Sequence, residues 1–360
     1  MNRLTAIGLA SLAAYGLLIA SKYMGVVSAA ADVRSPLQAA VEEVPMADSR
    51  VAALRAEPRQ ATLQMPAPVA RIEPSRLTAV ALEFRSSRDL KAFADGMASR
   101  RSSLGGDESF HLAKALEECQ FATTINEDLA TYSAKKKREF LASLAAGDAV
   151  NPKRIAAYEA VDNTQRCIGF QNAKISPKDI EDLYRAAAAQ GDPRAQARIL
   201  TNEMGKNNGN RVDASLQNAR APLGNSDDVS RIIGLLEQRD PDAMIIVGEY
   251  MSRQSSQLRV GPNGEVPEPS ALLGGFSLVA CDLGQDCTSM HREPQQACAY
   301  AGYCTSQSFE DLYQNFLASP WAYTQAMRYR AMIHTAISTQ NWALIGLVPQ
   351  SAPPAPAPGR

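Results

Sequence analysis

The sequence predicts an all-α protein, and the first observation behind this is a repeated helix-start signal. Side chains that cap helices stand directly before proline, which is favoured at the first helical position because its missing N–H is not needed there. Four pairs have this order: Asn151-Pro152, Ser176-Pro177, Asp192-Pro193 and Asp240-Pro241. We expect antiparallel helix pairs, packed as a short solenoid or an irregular helical bundle and stapled by disulfides.

Hydrophobic periodicity is the second observation. Apolar residues recur three and four positions apart after two of those starts, which predicts one buried face on each helix. The two sets are Ile180, Leu183, Tyr184 and Ala187, and Met244, Val247, Gly248 and Met251. Leu77 to Phe84 and Leu258 to Val266 have some strand character, but they are too short and too few to predict a sheet.

Residues 1–30 have the pattern of an export signal. Arg3 precedes an uncharged apolar run from Leu4 to Ser21, and small residues suited to signal-peptidase cleavage follow at 28–31. The run also just reaches the length that crosses a bilayer. We expect either a cleaved signal peptide or a retained inner-membrane anchor at residues 4–21, and in both cases a periplasmic domain in a bacterium.

The rest of the chain divides by composition. Residues 31–76 carry frequent prolines and predict a flexible linker, and residues 347–360 are a Pro-rich tail that we expect to be disordered. The α-helical domain should span 77–346. We expect a three-helix part at 77–172 and a repeat-like part at 176–346.

Overall charge argues against a nucleic-acid partner. The formal net charge is -1, whereas proteins that bind duplex DNA need a clustered basic face. No phosphate-binding loop, zinc-protease motif or nucleophile elbow occurs, so we expect no cofactor.

Cysteine number and spacing predict disulfides, in keeping with export. The chain has six cysteines: Cys119, Cys167, Cys281, Cys287, Cys298 and Cys304. Two C-x5-C pairs are too widely spaced for the usual zinc knuckle, so we expect no metal. Gly284 and Gly302 allow the chain to turn back inside each pair. The expected bridges are Cys119 with Cys167, Cys281 with Cys287, and Cys298 with Cys304, and a crossed arrangement of the last four is the alternative.

Two of the helix starts are similar to each other. Gln190-Gly191-Asp192-Pro193-Arg194-Ala195 and Gln238-Arg239-Asp240-Pro241-Asp242-Ala243 share an Asp-Pro-x-Ala turn, and a later segment reads Ala280-Cys281-Asp282-Leu283. These motifs resemble Sel1-like repeats, relatives of the tetratricopeptide repeats, although the period here is longer and most consensus positions are missing. The resemblance covers about 176–305 and implies stacked helix pairs whose concave face binds a partner.

Candidate functional residues are few. Glu249, between Gly248 and Tyr250 on an apolar helix, is the one carboxylate that suggests general acid or base chemistry, and its ordinary alternative is a helix-edge pair with Arg253. Trp321, Tyr323 and Tyr313 suggest either the closing core of the stack or a binding groove. We expect a binding or scaffold protein that holds a protein or cell-envelope component, with a cell-envelope hydrolase using a Glu-based site as the alternative.

Overall fold

The computed structural model describes residues 77–100, 103–209, 223–289 and 291–348. The predicted signal or anchor, the linker and the tail from 349 onward lie outside these residues. The described chain is all-α, as predicted: it has no β-sheet and only two isolated bridges, Val260 with Glu265 and Thr288 with Ser308. The domain reaches slightly beyond its predicted end, because Leu347 is buried in the core.

The helices follow one another with short connections. They are α1 (Ala79–Ser86), α2 (Leu90–Ala98), α3 (Gly106–Cys119), α4 (Leu129–Ala142), α5 (Asn151–Val161), α6 (Thr164–Cys167), α7 (Pro177–Ala189), α8 (Pro193–Gly209), α9 (Ser226–Glu237), α10 (Pro241–Arg253), α11 (Pro269–Asp282), α12 (Arg292–Gln296), α13 (Phe309–Leu312) and α14 (Pro320–Thr339). Two π-helical turns, Ala297–Ala301 and Tyr313–Leu317, continue α12 and α13.

Three expectations about individual elements were wrong. Leu77 to Phe84 is not extended, because Thr78 caps α1 and accepts a hydrogen bond from the Ala81 N–H. Residues 77–172 hold six helices rather than three, since Asp89 starts a second short helix. Asn151 is not a cap but the first residue of α5.

Packing follows chain order through the repeat-like part. The α7 and α8 helices contact each other, α8 contacts α9 and α10, α10 contacts α11, and α11 contacts α14. Both predicted apolar faces, on α7 and α10, are buried. The α11 helix is enclosed on nearly every side, and its buried residues are Ala271, Leu272, Gly274, Gly275, Phe276, Leu278, Val279 and Ala280.

The two Asp-Pro turns have the same construction. Asp192 caps α8 and Asp240 caps α10, each accepting backbone N–H groups of the first helical turn. The residue before each aspartate is left-handed, with φ of 86° at Gly191 and 54° at Arg239. Burial raises the pKa of Asp240, and the charge of Asp192 raises it further, so the turns lie close together.

Arg239 therefore carries strain that Gly191 avoids. A side chain in the left-handed region crowds the backbone, and glycine does not. We expect Arg239→Gly to raise the free energy of unfolding by about 0.5–1 kcal/mol, because relief of strain exceeds the added freedom of the unfolded chain. Urea unfolding followed by circular dichroism measures the effect. Arg239→Ala keeps a Cβ and should give no gain; an equal gain in both variants would contradict the strain argument.

An ion-pair network ties α11 to α14. Arg330 donates to the carboxylate of Asp282 through Nε at 2.7 Å, and Nε2 of His334 lies 2.7 Å from the same carboxylate. Burial raises the pKa of Asp282, but the hydrogen bonds with His334 and Arg330 lower it more, so it lies below the usual 3.8. The ionised carboxylate thus stabilises the fold above its unfolded-state pKa.

Acid should remove this stabilisation. Since the folded pKa is depressed, the contribution is complete above about pH 5 and is lost as the pH falls through the folded pKa. Asp282→Asn should cost about 1–3 kcal/mol at pH 7, and the difference from the wild type should shrink toward pH 3. Urea midpoints at pH 7, 5 and 3 measure it. A difference that stays constant with pH would show that Asp282 acts without its charge.

All six cysteines are paired as expected. The sulfur atoms are at bonding distance between Cys119 and Cys167, between Cys281 and Cys287, and between Cys298 and Cys304. The first bridge joins the end of α3 to the end of α6 across 48 positions, while the other two close loops of six. The crossed arrangement of the last four cysteines does not occur.

Candidate functional site

Charged side chains from four helices come together where the two halves of the described domain meet. We call this group the polar junction; it consists of Glu117 and Glu118 on α3, Arg198 on α8, Glu249 and Arg253 on α10, and Arg292 and Glu293 on α12, with His291 just before α12. The α10 start and the α12 segment are far apart in sequence, so the fold and not local sequence assembles the group.

One side of the junction is a fixed ion pair. Arg198 donates to Glu117, whose second carboxylate oxygen accepts from the Tyr184 hydroxyl at 2.9 Å. The Arg198 guanidinium also lies over the Tyr184 ring, 4.4 Å from its centroid. A carboxylate and an aromatic face together hold Arg198 in place. Burial and the charge of Glu117 raise the pKa of Tyr184, so its hydroxyl stays protonated.

A second cluster joins α3 to α6 and α12. Glu118 lies 3.5 Å from Arg166 and 4.0 Å from Arg292, measured between carboxylate oxygens and guanidinium nitrogens. Burial lowers the pKa of Arg166, and the neighbouring charge of Arg292 lowers it further. Two guanidinium groups thus share one carboxylate, which leaves a positive excess on this side of the junction.

Glu249 lies in a recessed but wet position. Its side chain is 43% exposed and lies 3.9 Å from Arg253, the predicted helix-edge pair. Even so, burial raises its pKa; Arg253 and Arg198 lower it, and the charge of Glu293 raises it. A group that water reaches and that protein still desolvates lies between neighbouring elements and not on an open helix face.

Glu293 is shifted in the opposite direction. Burial raises its pKa, but the contact with the His291 ring and the charges of His291 and Arg292 outweigh it, so the pKa falls below the usual value. Glu249 and Glu293 are close enough for the charge of one to act on the other. The arrangement therefore places a carboxyl that keeps its proton more readily beside one that loses it more readily.

The predicted aromatic residues do not form one groove. Tyr313 is buried, and its hydroxyl donates to the Ser270 carbonyl at 3.2 Å, so it packs in the core. Tyr323 is half-buried, its ring centroid lies 6.3 Å from that of Tyr313, and its hydroxyl donates to Glu310. Trp321 is 60% exposed to solvent.

Metal and membrane chemistry were also searched. Within the described residues, no group of His, Cys, Asp and Glu has a geometry that would hold a metal ion. Every cysteine is in a disulfide, so no free thiol is available as a nucleophile. None of the helices in the described ranges combines the length and apolar character that crossing a membrane requires.

Sequence reasoning found Glu249 and missed its neighbours. Glu293 belongs to a short helix 44 positions later with no periodicity of its own, and His291 drew notice only as a metal ligand beside the cysteines. Arg198 sits on a helix with a weak pattern. The one available signal was that α12 directly follows the bridge between Cys281 and Cys287, which constrains where that helix lies.

No protein-family model, no curated protein and no solved structure matches this chain. The resemblance to Sel1-like repeats remains a prediction from the motifs. The shared geometry of the Asp192 and Asp240 turns is consistent with it.

Proposed function

We propose that this protein is an exported helical scaffold that binds a protein or cell-envelope partner across the polar junction. Helix pairs packed in chain order present side chains from several repeats to one ligand, which is how solenoids bind. The three disulfides fit an oxidising compartment such as the periplasm, and the apolar segment at residues 4–21 supplies the route of export or the anchor.

The observation that carries the proposal is the half-exposed state of the junction. Glu249, Arg253, Arg292 and Glu293 are each between 43% and 53% exposed, although they come from two helices that meet inside the domain. Charges of both signs held in fixed positions and partly desolvated favour a partner with the complementary pattern. They also limit wrong partners, because like charges brought together there are costly.

Site-specific photo-crosslinking tests the scaffold proposal. A photoreactive amino acid replaces Arg253 or Arg292 in one set of variants and Lys178 in the control, since Lys178 is 80% exposed on α7. Irradiation of intact cells should give a discrete cross-linked species from the junction variants and none from the control. Identical patterns from all positions, or no adduct from any, would overturn the proposal.

The cell-envelope hydrolase is the second candidate, and the opposite pKa shifts of Glu249 and Glu293 favour it. Two carboxyl groups whose environments separate their pKa values can divide the work of hydrolysis. Glu249 would donate a proton to the leaving oxygen, and Glu293, kept ionised by His291, would activate water or stabilise positive charge.

Release of soluble fragments from purified peptidoglycan tests the hydrolase. Glu249→Gln and Glu293→Gln should each reduce the rate at least about 100-fold, the usual scale for a lost general acid or base. Glu237→Gln, at an exposed position of α9, is the matched control and should keep the wild-type rate. No release by the wild type, or equal rates in all variants, would exclude this candidate.

A further inference from the structure

A polar recess opens on the surface beside the two short disulfides. It encloses about 760 Å³ and is lined by Thr305, Gln307, Ser308, Asp311, Asn315 and Phe316. None of these residues belongs to the polar junction. The recess lies in the cysteine-rich part of the chain, which the proposed function leaves without a role.

Covalent and backbone bonds hold the recess in one conformation. The bridge between Cys298 and Cys304 ends directly before Thr305. Beyond it, the Ser289 N–H donates to the Gln307 carbonyl at 3.0 Å, and the Phe309 N–H donates to the Cys287 carbonyl at 2.8 Å. Since Cys287 is bonded to Cys281 on α11, both short disulfides fix this loop to the core. A site built in advance loses little conformational entropy when it binds.

The polar groups of the recess favour ligands that donate hydrogen bonds. Asn315 uses Nδ2 to donate to Asp311, at 3.0 Å to its carbonyl and 2.6 Å to its carboxylate. The other carboxylate oxygen accepts from the Gln307 N–H at 2.8 Å. These contacts leave the Asn315 Oδ1 atom and further carboxylate lone pairs to accept from a ligand. With a carboxylate and no cationic side chain in the lining, anionic ligands are disfavoured.

An aromatic platform borders these polar groups. Phe316 is 37% exposed and stacks on Tyr303, with ring centroids 4.5 Å apart and planes 21° apart. The π-helical turn Tyr313–Leu317 carries both Phe316 and Asn315. Such turns are frequent at functional sites. A flat apolar ring next to planar acceptors suits a molecule with one apolar face and a rim of hydroxyl and amide groups.

A buried hydroxyl in the same loop lacks a partner. Ser306, between two lining residues, is 7% exposed, and its Oγ atom makes no hydrogen bond. An unsatisfied buried hydroxyl costs about 1–3 kcal/mol, so its presence in a native fold calls for an explanation. A ligand hydroxyl, or a water held with the ligand, satisfies it.

We propose that the recess is a saccharide subsite that binds an uncharged N-acetylated hexosamine unit. The pyranose stacks on Phe316, its hydroxyls donate to the Asp311 carboxylate, and the acetamido N–H donates to Asn315 Oδ1. The inference adds glycan binding to the scaffold and does not depend on a partner at the polar junction. It also gives the C-x5-C pairs a purpose, since they hold the site open.

Calorimetric titration with chitotetraose, a tetramer of N-acetylglucosamine, tests the proposal on the oxidised protein. The wild type should bind chitotetraose at least tenfold more tightly than cellotetraose, which lacks the acetamido group. Phe316→Ala and Gln307→Ala should each weaken binding, the first at least tenfold. Trp321→Ala removes an exposed aromatic outside the lining and is the matched control, with binding unchanged.

Three results would overturn the subsite. They are absence of chitotetraose binding by the wild type, equal affinity for cellotetraose, and full affinity in Phe316→Ala that has a wild-type unfolding temperature. Cross-linking at Arg253 and Arg292 should be the same in Phe316→Ala as in the wild type. The saccharide subsite and the scaffold proposal therefore fail or succeed separately.

Discussion

Joint replacement of Cys119 and Cys167 by alanine should lower the free energy of unfolding by about 4 kcal/mol, which approaches the whole stability of many domains. The bridge spans 48 positions, so its loss gives the unfolded chain a large gain in freedom. Both side chains are fully buried where α3 meets α6, and their loss also loosens that core. The variant should be partly unfolded at 37 °C.

Joint replacement of Cys298 and Cys304 is the matched control. This bridge spans only six positions, and the same loop argument gives a loss of about 2 kcal/mol. Guanidinium unfolding of both oxidised variants, followed by helical circular dichroism, measures the two losses. Equal losses would mean that local packing, and not the length of the closed loop, sets the value of these disulfides.

Gly248→Ala should destabilise the protein by about 1–3 kcal/mol, although alanine is the better helix former. Gly248 faces α11, where an added Cβ would lie 2.4 Å from the Cβ of Phe276. Phe276 is itself fully buried and cannot move aside without disturbing the core. Helices α10 and α11 would have to separate.

Gly234→Ala separates this effect from helix propensity. Gly234 lies inside α9, and an added Cβ there meets no atom within 4 Å. The substitution should therefore stabilise the protein by about 0.5–1 kcal/mol. Thermal unfolding of both variants should give shifts of opposite sign. A loss of stability in both, or a gain in both, would contradict the close approach of α10 and α11.

The fold was predictable wherever helix starts used common capping residues. Ser176 and Asp240 precede proline and do cap their helices. The start of α11 escaped notice because its cap is Glu268, a residue not usual in that position, although its carboxylate accepts from the Ser270 and Ala271 N–H groups. Local rules thus found the helices with standard signals and missed the most buried one.

Periodicity failed where the helix is not α-helical. Phe309, Leu312, Tyr313 and Phe316 have core spacing, yet only Leu312 and Tyr313 are buried and Phe316 is 37% exposed. The π turn from Tyr313 to Leu317 rotates the later positions away from the α-helical register. No sequence pattern announces that turn, and for the same reason none announced the recess.

The enclosure of α11 orders the events of local opening. Amides of this helix exchange with solvent only when the α10 and α14 helices have left it, so their exchange rates report global unfolding. The short α1 helix, with only Ala81 and Phe84 buried, can open alone and exchange early. Deuterium uptake along the chain should therefore rise from α11 outward, and the slowest peptides mark the last structure to be lost.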